Sequence, residues 1–324
     1  MAVSERASEP SGTVSREVLV LRALGIGDLL VSVPALRGLR RAFPGDHLVL
    51  AAPAGLAELV ALIGAADEIL PTPGLGALRW RRPPPKLAVN LHGSGPESIA
   101  DLCATRPELL MSHNVPGGPE WPEDVHEVDR WCRLLAAYGI AADRSDLALA
   151  RPAVPSPAPG AVVVHPGAAF PARRWPPERF ADVARAYARD GLRVVVTGSA
   201  SERDLAERVA ATAGLGEDAV LAGRTGLGRL AALVAEAALV VCGDTGVGHL
   251  ASAYGTASVV LFGPTPPDRW GPPRSRRQHR PLWTGRCGDP FGAAPDPGLL
   301  DLSVRDVLDA APVITATTAG SGHA

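Results

Sequence analysis

The stretch VVCGDTGVGHLASAYGT, residues 240–256, carries the clearest structural signal in the chain. Its apolar run ends at Cys242 and predicts a buried strand, and a glycine-rich turn then leads to a helix of small residues that starts near His249. The free N–H groups of such a helix start can bind a diphosphate, which small residues allow to approach closely. An ordinary strand-to-helix connection, with Asp244 or Thr245 as the N-cap and His249 in the core, is equally compatible with this composition.

The same alternation of apolar runs and amphipathic stretches continues on both sides. In the first half, strands are predicted at EVLVLRALG, HLVLAAP, EILPT and LAVNLHG, and helices at about 28–41, near 55–64 and in VHEVDRWCRLLAAYGI. In the second half, the predicted strands are AVVVHPG, RVVVTGS, AVLAG, ALVVCGD and SVVLFGP. Near-continuous apolar strands separated by helices are typical of parallel sheets covered on both faces. The pattern therefore predicts an α/β protein made of two Rossmann-like, doubly wound domains.

The length of the chain, 324 residues, is enough for two domains, each with its own core. The proline-rich stretch RPAVPSPAPG at 151–160 is typical of an interdomain linker. We therefore expect an N-terminal domain over 17–150 and a C-terminal domain over 161–313, with a disordered leader at 1–16 and a disordered tail at 314–324. Because ligands of open α/β sheets bind beyond the carboxyl ends of the strands, the cleft between the domains is the predicted site.

Charge and cysteine usage narrow the class of protein. The formal net charge is -2, so no global charge favours binding to nucleic acid or to an anionic membrane. The four cysteines lie far apart without a CxxC pair, which argues against a structural zinc site or a disulfide framework and fits the reducing cytosol. The N-terminus lacks a secretory signal pattern, and no apolar run is long enough to span a bilayer. These observations lead us to expect a soluble cytoplasmic protein.

The turn LGIGDLLVSVP at 24–34 looks like the start of a dinucleotide-binding motif. Gly25 and Gly27 fit the first two glycines of GxGxxG, but Leu30 stands at the third position. Asp28 brings a negative charge to the helix start, where a pyrophosphate needs free N–H groups and a positive dipole. The next strand also ends without the acid that holds a dinucleotide ribose. The turn therefore argues against NAD, and Asp28 is either an N-cap or has a chemical role.

A second loop combines a histidine, a glycine and a pair of arginines. In VVVHPGAAFPARRWPPERF, a predicted strand leads to His165 and Gly167, and Arg173 and Arg174 come before a helix that begins with proline. Guanidinium groups neutralise phosphate charge and donate a fixed fork of hydrogen bonds. An arginine pair taken alone is more often a solvated surface, so its interpretation depends on the glycine-rich turn at 243–248.

Five motifs together resemble those of glycosyltransferase family 9, the ADP-heptose:lipopolysaccharide heptosyltransferases. They are GDLLVSVPALRGLR, HPG, RRWP..RF, DTGVGHLASAYGT and LFGPTPPDRWGP, in the same order and spacing, over about Val18 to Gly271. The resemblance implies a GT-B fold, in which the first domain mainly holds the acceptor and the second holds the nucleotide sugar. It further implies inversion at the anomeric carbon without a required metal, by a cytoplasmic enzyme that could contact the inner face of the cytoplasmic membrane.

The resemblance also implies roles for individual residues. Asp28 matches the proposed general base, which takes the proton from the acceptor hydroxyl. The donor and its phosphates are assigned to Asp244, Thr245, Gly246, Val247, Gly248 and His249, together with Arg173, where the family has lysine, and Arg174. The nucleoside is assigned to His165, Gly167, Glu202, which matches an acid that binds the ribose, and Thr225, whose loop contacts the base through its backbone.

The acceptor side departs from the family pattern. Gly27, Asn90 and His92 are the candidates there, but Asn90 stands where the family has aspartate and His92 where it has glutamine. Because these positions lie beside the predicted cleft, the departures leave open whether the acceptor is the usual lipopolysaccharide. Residues 274–300 also match the family poorly. Basic residues of the first half could attract an acidic glycan or form a solvated face. They are Arg37, Arg40, Arg41, Arg79, Arg81, Arg82 and Lys86.

The favoured function is therefore that of an inverting glycosyltransferase. It would move a sugar, with heptose from ADP-heptose as the first candidate, to a hydroxyl of a glycan or glycolipid. The sequence contains no DxD pair, which argues against a divalent metal on the diphosphate, and no organic cofactor is expected. Two alternatives stay open: a non-catalytic nucleotide-sugar-binding protein and a GT-B nucleotide-sugar epimerase.

Overall fold

The computed structural model describes residues 16–313, and the first half of the chain forms a parallel five-stranded sheet. Its strands are β1 (Glu17–Leu21), β2 (His47–Ala52), β3 (Glu68–Pro71), β4 (Leu87–Asn90) and β5 (Leu109–Met111), in the order β3-β2-β1-β4-β5. Its helices are α1 (Ile26–Val31), α2 (Val33–Ala42), α3 (Ala57–Ile63), α4 (Pro96–Cys103) and α5 (Glu127–Ala137). Residues 18–21 of the central strand have no exposed surface, because helices cover both faces of the sheet.

The second half forms another parallel five-stranded sheet. Its strands are β6 (Val162–His165), β7 (Val194–Val196), β8 (Leu239–Gly243), β9 (Ser258–Leu261) and β10 (His279–Leu282), in the order β10-β9-β8-β6-β7. Its helices are α6 (Pro177–Arg189), α7 (Arg203–Ala213), α8 (Leu227–Ala235), α9 (Gly246–Tyr254), α10 (Pro267–Trp270), α11 (Pro297–Leu300) and α12 (Val304–Ala310). Both strand orders are those of doubly wound, Rossmann-like folds. The predicted α/β class is confirmed.

The helix expected at about 28–41 is divided in two. Ser32 ends α1, and Pro34 lies in the first turn of α2. Because proline has no N–H, it cannot donate to the carbonyl four residues before it, and the helix is interrupted there. The Ser32 hydroxyl donates to Leu29 O at 2.7 Å and satisfies a carbonyl at this break.

Two strand assignments also differ from the sequence prediction. The strand expected in AVLAG is wrong: residues Glu217–Ala219 form a 3-10 turn, and Val220 makes a single bridge to Val196. Conversely, β10 lies within 274–300, where no strand was predicted. Its sequence HRPL is half polar, as an edge strand allows, and it therefore carries no apolar run that could reveal it.

Residues 151–160 contain no helix or strand and connect the two sheets, while the exact domain limits stay a prediction. The expected leader, apart from Arg16, and the expected tail lie outside the described residues. Between residues 16 and 313, no helix combines the length and the hydropathy needed to cross a membrane.

The two sheets meet through the N-terminal ends of α1 and α9. A Cβ on Gly246 would lie 2.7 Å from the Cβ of Ile26, and a Cβ on Gly27 would lie 2.9 Å from Cδ2 of His249. Glycine is therefore needed at both positions for the close approach of the two helices. Gly27, which looked like part of a dinucleotide motif, thus serves the contact between the sheets. This contact brings the carboxyl ends of both central strands to one cavity.

Candidate functional site

A cavity of about 720 Å³ lies between the carboxyl ends of the two sheets, and its volume suits a small-molecule ligand. Most predicted site residues line it: Gly27, Asp28, His165, Arg173, Glu202, Thr225, Asp244, Thr245, Gly246, Val247 and His249. Five predicted site residues are not on its wall: Asn90, His92, Gly167, Arg174 and Gly248. The structure thus gathers residues from both halves of the chain around one space.

Asp28 lies in the first turn of α1 with a side chain that is 31% exposed. The N-cap of α1 is Gly25, so the interpretation of Asp28 as an N-cap is wrong. Arg22 donates from Nε to the backbone oxygen of Asp28 at 2.9 Å, and its Nη2 lies 3.4 Å from Oδ1. The carboxylate is therefore held on one side and open on the cavity side, as a group that accepts a proton from a ligand must be.

The glycine-rich turn before α9 offers backbone N–H groups to the cavity. Thr245 is the N-cap in an extended conformation, with φ -145° and ψ 169°. The N–H of Gly248 is already bonded to Thr245 O at 3.1 Å. This leaves the N–H groups of Gly246 and Val247, at the positive end of the helix dipole, as the donors available to an anion.

Asp244 directly precedes this turn and is only 8% exposed. Burial raises the pKa of Asp244 to about 6; the positive charge of Arg173 opposes the rise, and the negative charge of Asp28 adds to it. The carboxyl group is therefore ionised at neutral pH, and it takes up a proton in mildly acidic solution. A buried carboxylate of this kind costs stability unless a ligand uses it.

We expect Asp244→Asn to raise the free energy of unfolding by about 2–3 kcal/mol near pH 8. The folded pKa lies above the ordinary value, so the charged form destabilises the native state at and above pH 6, and this cost fades as pH falls toward 4. Denaturant unfolding at pH 4, 6 and 8 measures the effect. Asp182→Asn, at an exposed position on α6, is the control with no such pH dependence; a gain of equal size at pH 4 and 8 would contradict the account.

Arg173 carries an unsatisfied donor beside the turn. It ends a short 3-10 helix, Pro171–Arg173, and its Nε is buried without a hydrogen-bond partner among the described residues. Its guanidinium lies 5.4 Å from the ring centroid of Phe170. Arg174 differs, because its Nε donates to Ala168 O at 2.8 Å and it does not line the cavity. Arg173 is thus the better placed of the two to bind a phosphate oxygen.

Three of the nucleoside candidates, His165, Glu202 and Thr225, line the same cavity, and Gly167 lies beside Glu202. Burial raises the pKa of Glu202, but hydrogen bonds from Ser199 N and Oγ, both 2.8 Å from Oε2, outweigh this and leave it lowered. Oε1 leaves no room for a Cβ at residue 167, so Gly167 makes space for this carboxylate. His165 Nδ1 lies 3.0 Å from Thr197 Oγ1, and burial lowers its pKa. Together with Thr225, these groups form a polar wall, in which Glu202 Oε1 accepts no hydrogen bond from residues 16–313.

His249 belongs to α9, contacts Gly27 of α1 and lines the cavity. Its ring packs at 6.2 Å, edge to face, against Trp270. Burial lowers the pKa of His249 to about 4, although the negative charge of Asp28 opposes the shift. The imidazole is therefore neutral at neutral pH and adds no positive charge for a phosphate. The packing on Trp270 fits a structural role, and the place on the cavity wall fits a role in ligand binding. Both roles stay predictions.

Two of the acceptor-side candidates lie away from the cavity wall: Asn90 ends β4, and His92 follows in the next loop. Asn90 has no exposed surface: its Nδ2 donates to Ser98 Oγ and Ser112 Oγ at 3.0 and 3.1 Å, and its Oδ1 accepts from His92 N. Asn90 therefore shapes this loop and has no free group for a ligand in this conformation. His92 is half-buried with Nδ1 unpartnered among the described residues, and burial lowers its pKa.

The apolar part of the cavity was not predicted from the sequence. Phe170 and Phe291 pack edge to face at 4.9 Å, and both line it, as do Leu227, Leu230 and Trp270. Phe291 is 67% exposed and comes from the irregular segment 274–300, which has no periodicity to reveal it. Exposed aromatic rings at a cavity mouth are well suited to pack on a base or sugar.

Two Rossmann-like sheets enclose a cavity that has an open carboxylate and groups able to bind an anion on its wall, and this arrangement is that of a GT-B-type group-transfer enzyme. The model of glycosyltransferase family 9 (heptosyltransferase) matches residues 120–287, which is more than half of the chain. The chain belongs to this family and is a glycosyltransferase. A search of curated proteins found no match.

Solved structures show the same fold. The E. coli ADP-heptose LPS heptosyltransferase II aligns with TM-score 0.71 at 22% identity, over 91% of this chain and 97% of that chain. A family 9 glycosyltransferase from Veillonella parvula aligns with TM-score 0.74 at 20% identity, over 91% and 95%. E. coli heptosyltransferase WaaC with ADP aligns with TM-score 0.67 at 19% identity, over 90% and 98%. These similarities confirm the expected GT-B architecture.

Proposed function

We propose that this glycosyltransferase is inverting and metal-independent, and that it moves heptose from ADP-heptose to a hydroxyl of a glycan or glycolipid. The observation that carries the proposal is the pairing, in one cavity, of the open Asp28 carboxylate with the unsatisfied Nε of Arg173 beside the start of α9. The first half of the chain would hold the acceptor and the second the donor. The enzyme would work in the cytoplasm, at the inner face of the membrane if the acceptor is a glycolipid.

The reaction begins with the acceptor hydroxyl. As its oxygen attacks the anomeric carbon from the side opposite the leaving diphosphate, Asp28 takes the hydroxyl proton, and the configuration inverts. Asp28 suits this role because, among the described residues, Arg22 is the partner of its carboxylate, with Nη2 3.4 Å from Oδ1, and the residue lines the cavity. The bond from the anomeric carbon to the phosphate oxygen breaks, and its electrons leave with the nucleoside diphosphate.

The leaving group develops negative charge in the transition state. The N–H groups of Gly246 and Val247 and the guanidinium of Arg173 would stabilise this charge more than they stabilise the ground state. The ionised Asp244 carboxylate would repel a phosphate, so we assign it to a sugar hydroxyl of the donor. Glu202 would accept hydrogen bonds from the ribose with its free Oε1, and the Phe170 and Phe291 rings would border the nucleotide.

Calorimetric titration with ADP, GDP, UDP, dTDP and NAD tests the donor class. We expect ADP to bind best, because the E. coli neighbours are described as ADP-heptose LPS heptosyltransferase II and as WaaC with ADP, and they share the fold. Stronger binding of UDP, GDP or dTDP would show that ADP-heptose is not the donor, while the protein could still transfer a sugar from another nucleotide. Binding of NAD alone would contradict the proposed role of the turn at 24–34.

Removal of divalent metal is expected to leave donor binding and turnover unchanged. Within residues 16–313, no group of three or more histidine, cysteine or acidic side chains is arranged to hold a metal ion. Backbone N–H groups and Arg173 would instead neutralise the diphosphate. The test compares the Kd for ADP and the rate of ADP release from ADP-heptose in EDTA and in magnesium. A rate that depends on magnesium would contradict the metal-independent mechanism.

A further inference from the structure

Arg22 is a buried charged side chain that comes directly after β1. It is 1% exposed and does not line the cavity, so it cannot contact a donor or acceptor there. Burying a guanidinium is costly unless acceptors and counter-charges satisfy it. Burial lowers the pKa of Arg22, and the carboxylates of Asp28 and Glu127 oppose this shift. The protein therefore keeps a buried positive charge, which lowers its stability, next to the proposed base.

The Arg22 guanidinium connects two elements of the acceptor side. Nε donates to Asp28 O at 2.9 Å, and Nη2 lies 3.4 Å from Asp28 Oδ1. Nη1 donates to the backbone oxygen of Leu91, directly after β4 and one residue before His92. A single planar group thus fixes the start of α1 relative to the loop that carries His92.

A stack of aromatic and charged side chains holds the guanidinium in this orientation. Arg22 Cζ lies 4.8 Å from the ring centroid of Trp131, which packs on Trp121 at 5.9 Å. Arg130 lies 3.9 Å from the Trp121 centroid and pairs with Glu127 at 2.8 Å. Because Trp131, Arg130 and Glu127 all belong to α5, this helix supports Arg22 from behind.

We propose that Arg22 is a positioning residue: it sets the Asp28 carboxylate and the loop at 91–93 in the relative placement that lets the acceptor hydroxyl meet the base. This inference rests on the proposed function, since it assumes that Asp28 is the base. Lysine cannot replace Arg22, because an ammonium group is a point donor, whereas the acceptors on Asp28 and Leu91 require a planar fork.

A double-mutant cycle tests the inference. The assay is release of ADP from ADP-heptose with heptose-deficient lipopolysaccharide as the acceptor probe. We expect Arg22→Lys to lower kcat by about 10- to 100-fold, because small displacements of a catalytic group have effects of this size. The Kd for ADP stays unchanged. In Asp28→Asn, the same substitution should cause no further loss, because Arg22 acts through Asp28. If the loss of kcat in the double variant equals the product of the losses in the two single variants, the inference is wrong.

Arg179→Lys is the matched control. Like Arg22, Arg179 lies over a tryptophan, 5.9 Å from the Trp175 ring centroid, and donates to backbone oxygens, those of Leu300 and Leu302, but it belongs to α6 and makes no hydrogen bond to Asp28. Its substitution should leave kcat unchanged. If Arg22→Lys does not fold, Trp131→Leu removes the aromatic support beneath the guanidinium. It should lower kcat in the same direction and, again, have no effect in Asp28→Asn. An unchanged kcat in Trp131→Leu would overturn the inference.

The crystal structure of Arg22→Lys, or of Trp131→Leu, gives a readout that does not depend on turnover. The Asp28 carboxylate and the Leu91 carbonyl should move relative to each other, and unchanged positions would reject the positioning role. Full activity of Asp28→Asn is a different outcome, since it contradicts the proposed function itself.

Discussion

Asp28→Asn is expected to reduce kcat by about a thousandfold while the Kd for ADP stays unchanged. The amide keeps the size of the side chain and its contact with Arg22 but cannot take a proton from the acceptor hydroxyl. The groups proposed to bind the diphosphate are Arg173 and the N–H groups at the start of α9. The substitution does not change them, so ADP should still bind. Steady-state release of ADP from ADP-heptose, with calorimetry on the same preparation, measures both quantities.

Asp182→Asn serves as the control for Asp28→Asn, because it removes a carboxylate that is 49% exposed on α6. Its kcat should equal that of the unmodified protein. Melting temperatures of the two variants separate a catalytic loss from a folding defect. If Asp28→Asn retains more than about a tenth of the rate, Asp28 is not the general base. Loss of ADP binding in that variant would place Asp28 at the donor instead.

Arg173→Met is expected to weaken ADP binding by about 10- to 100-fold, the range for a lost charge-assisted hydrogen bond. Its buried Nε has no partner among the described residues, so a phosphate oxygen can satisfy it without breaking an existing bond. Arg173→Lys restores the residue that the family has at this position. It should recover part of the affinity, because the charge is kept but the planar fork is lost. Calorimetric titration with ADP gives the three affinities.

Arg174→Met and Arg185→Met complete this series. Arg174 already donates to Ala168 O, so we expect a much smaller effect on ADP binding than at Arg173. Arg185 lies on α6 and pairs with Asp182, and its substitution should leave the affinity unchanged. A larger loss at Arg174 than at Arg173 would reverse the assignment of the phosphate contact.

The class of fold could be predicted because its physical signal is local. The inner strands β1, β6 and β8 are buried on both faces, which requires continuous apolar runs. The strand expected in AVLAG failed because a short run of small residues fits a strand or a turn equally well, and distant pairing decides between them.

The polar part of the site could also be predicted, since Asp28, Arg173 and Asp244 lie next to glycine or proline turns at strand ends. Phe291 and Arg22 could not. Phe291 comes from an irregular segment, and its place at the cavity depends on its contact with Phe170. A lone arginine after a strand looks like an exposed residue. Arg22 is buried against Trp131 and bonded to Leu91, which are both distant from it in sequence.

A crystal structure of the protein with ADP would show where the diphosphate binds. We expect it at the start of α9, within hydrogen-bond distance of Gly246 N or Val247 N and of Arg173, with Asp28 open across the cavity. A diphosphate bound instead at the turn of residues 25–28, beside the Asp28 carboxylate, would contradict this expectation.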